Sequence, residues 1–242
     1  MSAAINIAVV ICAAGASSRM KIEGSAVRKK EYEKLNNGNT VLGTAAAAFA
    51  SVPNVQVIAI SVPENGESTA REALPANLLS NEKPKILFVT GGSTRQKSVF
   101  NALSVLADFS PDYALIHDGA RPWVSSSLIE NIITAVKKHN AVIPLLPLTD
   151  TPKECVSSWE TQTSNDASAV FIKTHLRRKN TGIAQTPQAF KFPEILDAHK
   201  KAAAENEEFT DDAEIWGRFC GQVAVIPGES ENKKITYPED LI

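Results

Sequence analysis

The chain has 242 residues, a formal net charge of −2 from 25 basic and 27 acidic side chains, and 43% hydrophobic residues. That length and hydrophobic share suit one α/β domain, or one domain with a modest appendage, and supply a core without staples. The charge balance argues against a nucleic-acid surface, so any basic residues that matter are placed locally, in a site.

The cysteines, Cys12, Cys155 and Cys220, are odd in number and widely spaced, with no CxxC or Cys/His metal pattern. They fit a reducing compartment. Met1–Cys12 has no cationic leader, and the apolar run from Ile7 to Ala14 is too short to span a bilayer. A cytoplasmic protein with no membrane segment is expected.

In chain order, Ile7–Cys12 reads as a buried parallel strand ended by Gly15. Thr40–Ser51 is alanine-rich and helix-prone, and Val55–Val62 is a second buried strand. A helix over Glu67–Leu74 ends at Pro75, and a third strand covers Lys85–Thr90. Val99, Leu103 and Leu106 predict a helix over Ser98–Ala107. Tyr113–His117 is a fourth strand, Ser127–His139 an amphipathic helix, and Ala141–Pro147 a fifth strand interrupted by Pro144. From about Leu148 to Arg178 polar and β-branched residues alternate, which suggests a protruding β-arm inserted into the domain. Helices over Phe192–Glu205 and Asp211–Phe219 and a strand over Gln222–Ile226 complete the chain. The alternation predicts a mostly parallel α/β sheet with ligands at the strand C-termini, in a single domain over 1–242 with the arm as an insertion.

Four segments carry candidate chemistry. The loop Ala13, Ala14, Gly15, Ala16, Ser17, Ser18, Arg19, Met20 follows the first strand directly. Its small residues suit either a tight turn or a backbone cradle for phosphate oxygens, with Arg19 as a charged donor. It is neither a P-loop nor a GxGxxG fingerprint. Arg28, Lys29 and Lys30 form a basic cluster, either a solvated face or a second phosphate-facing cation. Gly91, Gly92, Ser93, Thr94, Arg95 and Ser98 join a strand to a helix, a pattern for anion binding or for simple capping. Asp118 and Arg121 end a buried strand behind His117; Asp118 can bind ribose, metal or hydroxyls, and Arg121 can hold Asp118 or a phosphate.

Together the stretches AAGASSRM (13–20), KEY (30–32), GGSTRQKSV (91–99), HDGARP (117–122), PLTDTPK (147–153), AQTPQAF (184–190), TDDA (210–213) and NKKIT with PEDL (232–241) stand in one order. In that order they resemble the 2-C-methyl-D-erythritol 4-phosphate cytidylyltransferases of non-mevalonate isoprenoid synthesis. The resemblance implies a Rossmann-like nucleotidyltransferase fold, Mg²⁺, and a homodimer clasped through the arms. It implies that the methylerythritol phosphate attacks the α-phosphorus of CTP and that pyrophosphate leaves. Arg19 and Lys30, or Lys29 in its place, are then catalytic cations, together with Arg178 and Lys234. Cytosine and ribose lie on Ala13–Gly15 and Gly91–Ser98, with a side chain at Gly91 expected to take up ligand space. Asp118, Arg121, Thr151, Arg178 (or Arg177) and Lys234 grip the sugar-alcohol phosphate, Thr151 and Arg178 coming from the partner subunit. A ribitol 5-phosphate cytidylyltransferase and a non-catalytic nucleotide-binding protein on the same fold are the alternatives.

Overall fold

The computed structural model describes residues 5–17, 20, 29–80, 82, 84–158, 169–205 and 207–241. The seven helices of four or more residues and the ten strands found among them are numbered here in chain order. Strands β1 (Ile7–Cys12), β2 (Val55–Val62), β3 (Lys85–Thr90) and β4 (Tyr113–Asp118) are parallel, in the spatial order β3-β2-β1-β4. The sheet continues through β9 (Gln188–Lys191), β5 (Ala141–Pro147) and β10 (Ala224–Pro227). Strand β9 is antiparallel to both β4 and β5, whereas β10 is parallel to β5.

Alternation along β1 divides the core. Ile7, Val9 and Ile11 face one side, where they meet α1 (Val41–Ala50) and α5 (Ser126–His139). Ala8 and Val10 face the other, against α4 (Arg95–Leu106), α6 (Phe192–Glu205) and α7 (Asp212–Phe219). The result is three layers with the sheet buried in the middle, as expected for parallel strands of continuous apolar composition. Thr40, Thr94, Ser125 and Asp211 cap α1, α4, α5 and α7, each accepting a backbone N–H of the first turn.

Four features differ from the sequence reading. The stretch after Pro75 forms a further short helix, α3 (Ala76–Ser80), behind α2 (Glu67–Glu72). Helix α4 begins at Arg95, three residues early, with Thr94 as its cap. Strand β5 runs unbroken through Pro144, which falls between the part paired to β9 and the part paired to β8 (Gly182–Ala184), where no ladder donor is required. Strands β8 and β9 themselves have no counterpart in the sequence reading.

In the segment read as an arm, β6 (Lys153–Cys155) and β7 (Ile172–His175) pair antiparallel in a two-stranded sheet of their own. Phe171, Ile172 and Val156 there are exposed.

Candidate active site

The chain steps outward from β1 to β2 to β3 and returns to β4 on the other side of β1. This makes the C-terminal ends of β1 and β4 a topological switch point, where open α/β sheets take their ligands. A cleft of about 380 Å³ lies there, with Gly15, Ser17, Lys30, Arg95, Asp118 and Lys234 among its walls.

One wall is the loop after β1. Ser17 sits at φ 51, a left-handed turn uncommon for a non-glycine residue, and three contacts hold it there. Its carbonyl accepts from Met20 N, its hydroxyl donates to Glu31 Oε2 at 3.2 Å, and the same hydroxyl accepts from Lys30 N at 3.4 Å. Among the described residues, no acceptor takes the backbone N–H of Ala14, Gly15 or Ala16. These groups can therefore receive an anion. The 3-10 turn Lys30–Tyr32 packs behind the loop. Lys29 Nζ donates to Gly15 O at 2.7 Å, and Lys30 Nζ to Ile235 O at 2.9 Å.

The opposite wall is the β3–α4 connection. Ser98 Oγ donates to Thr94 O and accepts from Gly92 N, fixing the turn. The helix N-terminus of α4 opens into the cleft, with the N–H groups of Arg95 and Gln96 unmet by any acceptor among the described residues.

Asp118 forms the floor. Lys234 Nζ is 2.7 Å from its Oδ2, Arg95 Nε 3.2 Å from its Oδ1, and Arg121 Nε 3.8 Å from Oδ2. Burial alone would raise this carboxyl, but Arg95, Lys234 and Arg121 hold it far below the usual carboxylate range. Asp118 is thus a fixed anion that orients three cations.

His117 is no base. Its Nε2 lies 3.0 Å from the Arg121 carbonyl, which can only accept, so the proton sits on Nε2. Nδ1 then accepts from Thr186 Oγ1, and burial pushes the imidazole down to about 4. Cys12 at the cleft is equally inert, since burial raises its thiol to about 12.

A family model described as "IspD: 2-C-methyl-D-erythritol 4-phosphate cytidylyltransferase" matches residues 7–242. The chain belongs to this family. Among its relatives, the "Bifunctional enzyme IspD/IspF" of Bradyrhizobium sp. (strain BTAi1) is 39% identical over 238 residues, and that of Brucella anthropi 37%. Both matches cover 97% of this chain, which spans only about half the length of those relatives (54% and 53%). Solved structures of the family superimpose on it. The 4-diphosphocytidyl-2C-methyl-D-erythritol synthase of Anaerococcus prevotii does so with TM-score 0.78 and 28% identity, covering 98% of this chain and 93% of that one. The 2-C-methyl-D-erythritol 4-phosphate cytidylyltransferase of Francisella tularensis gives 0.74 and 28%, covering 98% and 96%.

Set beside the family reading, the fold brings most of the expected residues together. Ala14, Gly15, Ala16, Ser17, Lys30, Gly92, Ser93, Arg95, Ser98, Asp118 and Lys234 line the cleft. Ser18, Arg19 and Arg28 lie outside the described residues. Ala13 is fully buried, with its N–H on Ser61 O, and supports the loop from beneath. Arg121 is inside the wall, donating to Asn232 O at 2.8 Å.

Gly91 sits where the two loops touch. A Cβ there would meet Ala14 Cβ at 2.5 Å and Ser98 Oγ at 2.9 Å, so its bare Cα serves the close packing of the two loops, and Gly91 is not among the residues lining the cleft. Thr151 and Arg178 line no part of their own chain's cleft. Arg178 Nη1 donates to Thr149 O at 2.6 Å, within the arm segment.

Two contributors carry no role in the sequence reading. Glu31, within KEY, is buried at the cleft beside Ser17, and burial raises its carboxyl. Asp212, within TDDA, is fully buried and holds Arg95. Their motifs were visible, but a motif does not say which side chain turns inward.

Among the described residues no cluster of three or more His, Cys, Asp or Glu side chains is placed to hold a metal ion. The cleft's two carboxylates are also committed, Asp118 to three cations and Glu31 to Ser17. The donor set does not fit a Mg²⁺ caged by the protein.

Proposed function

We propose that this chain transfers the cytidylyl group of CTP to 2-C-methyl-D-erythritol 4-phosphate, giving 4-diphosphocytidyl-2-C-methyl-D-erythritol and pyrophosphate for isoprenoid precursor synthesis. The observation that carries the reading is the coincidence of two independent facts. The family match runs over residues 7–242, and a cleft lined by Lys30, Arg95 and Lys234 opens at the switch point of an acidic chain.

In this reading a phosphate oxygen of the sugar alcohol forms a bond to the α-phosphorus of CTP. The bond from that phosphorus to the bridging oxygen breaks, and pyrophosphate carries the electron pair away. Such a transfer needs positioning and charge neutralisation more than a covalent nucleophile. The Ala14–Ser17 loop receives the triphosphate, and neutralising the charge at the α-phosphate is assigned to Lys30 and, from the family resemblance, Arg19. The α4 N-terminus and Asp118 take the nucleoside side, and Arg121 and Lys234 orient the second phosphate. Mg²⁺ enters as the metal complex of CTP, part of the substrate.

Chain 1–242 works as one domain with 148–178 inserted, and two copies pair so that Thr151 and Arg178 of each arm complete the other's cleft. Support for the pairing comes from the exposed Phe171, Ile172 and Val156 on the arm and from the absence of Thr151 and Arg178 from their own cleft. The free cysteines suit the cytoplasm, and no helix among the described residues is long and apolar enough to cross a membrane.

The test is pyrophosphate release from CTP with methylerythritol phosphate or ribitol 5-phosphate as acceptor. The reading expects release with the first at least about ten-fold faster, a preference of 1.4 kcal/mol. Faster release with ribitol 5-phosphate would replace it with the pentitol reading, and none with either would leave a binding protein.

A further inference from the structure

Arg95 is held by two carboxylates, only one of which belongs to the cleft. Its Nε meets Asp118, while its Nη1 lies 2.8 Å from Oδ2 of Asp212 on the first turn of α7. Asp212 has no exposed surface and lines no part of the cleft. Its other oxygen, Oδ1, lies 3.1 Å from Nε2 of His199, which is also fully buried, on α6. Asp211 beside it caps α7 and accepts from Gln188 Nε2 of β9, so the backbone that carries Asp212 is fixed at both sides.

A buried carboxylate is costly unless fully partnered, and here the partners are a cleft arginine and one imidazole. The arrangement has a geometric consequence. With Nε and Nη1 occupied on two sides, the guanidinium plane cannot rotate, and the second terminal nitrogen has no acceptor among the described residues. That nitrogen belongs to a side chain about one-third exposed, at the mouth of the cleft. The planar fork of arginine converts a clamp on two donors into a fixed direction for the rest.

We infer that Asp212 is a positioning residue for nucleotide binding. Seated on His199, it locks Arg95 so that the remaining guanidinium donors point at CTP. The inference rests on the cleft being the CTP site, and it extends the active site to a residue on α7 that never touches substrate.

A double-mutant cycle on CTP affinity, measured by calorimetry with Asp212→Asn, Arg95→Gln and the double variant, tests it. Asparagine keeps the shape and removes the charge. In the otherwise unchanged protein Asp212→Asn weakens CTP binding about ten-fold, the scale of one charge-assisted hydrogen bond. On the Arg95→Gln background it weakens binding less than about two-fold, because there is no guanidinium left to position. In turnover the Asp212→Asn variant raises KM for CTP and leaves KM for the acceptor unchanged. A merely structural role would lower the active fraction and leave KM for CTP as it was. If Asp212→Asn does not fold, Asp212→Glu, which keeps the charge but displaces the carboxylate by one methylene, is used in the same cycle. Equal losses on both backgrounds, or no loss on either, overturn the inference while the CTP reading stands. A wild-type protein that binds no CTP overturns both.

Discussion

Replacing Gly91 by alanine separates two views of the β3–α4 loop. The new methyl carbon would stand 2.5 Å from Ala14 Cβ and 2.9 Å from Ser98 Oγ. Carbon atoms in contact prefer about 3.5–4.0 Å, so the two loops must part by about 1 Å. Neither neighbour is the end of a flexible chain. Ala14 is on the loop after β1, and Ser98 is tied to Thr94 O and Gly92 N. Overpacking of this kind costs about 1–3 kcal/mol. For a domain of this size 2 kcal/mol lowers Tm by about 4–8 °C. Because the displaced elements are the two walls of the cleft, CTP affinity should fall with stability. Adding Ala14→Gly removes the closer clash and should recover about half of the lost Tm, although Ser98 Oγ remains. Thermal unfolding and CTP calorimetry on both single variants and the double variant give the answer. An unchanged Tm in Gly91→Ala, with CTP binding lost, would refute the packing argument and restore Gly91 to the ligand.

Lys30→Ala should lower kcat about 100-fold or more with little change in KM for CTP, the signature of a donor used in the transition state; steady-state kinetics beside Lys29→Ala tells which lysine carries the role. His117 should titrate near 4 with its proton on Nε2, as read from the ¹⁵N shifts of its ring. Burial depresses its folded pKa below the unfolded value of about 6.5, so its contribution to stability is complete above that pH. The contribution is lost as pH falls toward 4, by about 3 kcal/mol in all. Glu31, whose carboxyl burial raises, acts in the opposite sense, and the ring shifts therefore isolate His117 where total stability does not. Mixing inactive Lys30→Ala subunits with inactive Arg178→Ala subunits should restore part of the activity, measured after heterodimers are isolated; no recovery would mean that each cleft is completed within one chain.

Much of the fold was legible because β1 to β4 are continuous apolar runs and α1, α4, α5 and α7 have capping residues of the preferred types. Strand β9 was not. Its first residue is Gln188, buried and bonded to Asp211 and Ala213 N, so a polar side chain occupies a core position and no apolar run announces the strand. Pro144 read as a break because the local rule knows nothing of a change in ladder partner. At the site, the loops after β1 and β3 and the Asp118 strand end were visible as small residues and charges following buried strands. The role of Gly91 was not, since contact with Ala14 joins positions far apart in the sequence. The link from Asp212 to Arg95 was hidden for the same reason, spanning 117 residues.

Turnover reads the chemistry of the cleft without an intermediary. The purified chain is given CTP, Mg²⁺ and 2-C-methyl-D-erythritol 4-phosphate, with pyrophosphate and the cytidine diphosphate product followed together. Pyrophosphate and 4-diphosphocytidyl-2-C-methyl-D-erythritol are expected in equal amounts, dependent on CTP and on the acceptor. A folded, CTP-binding chain that forms neither would contradict the proposed function.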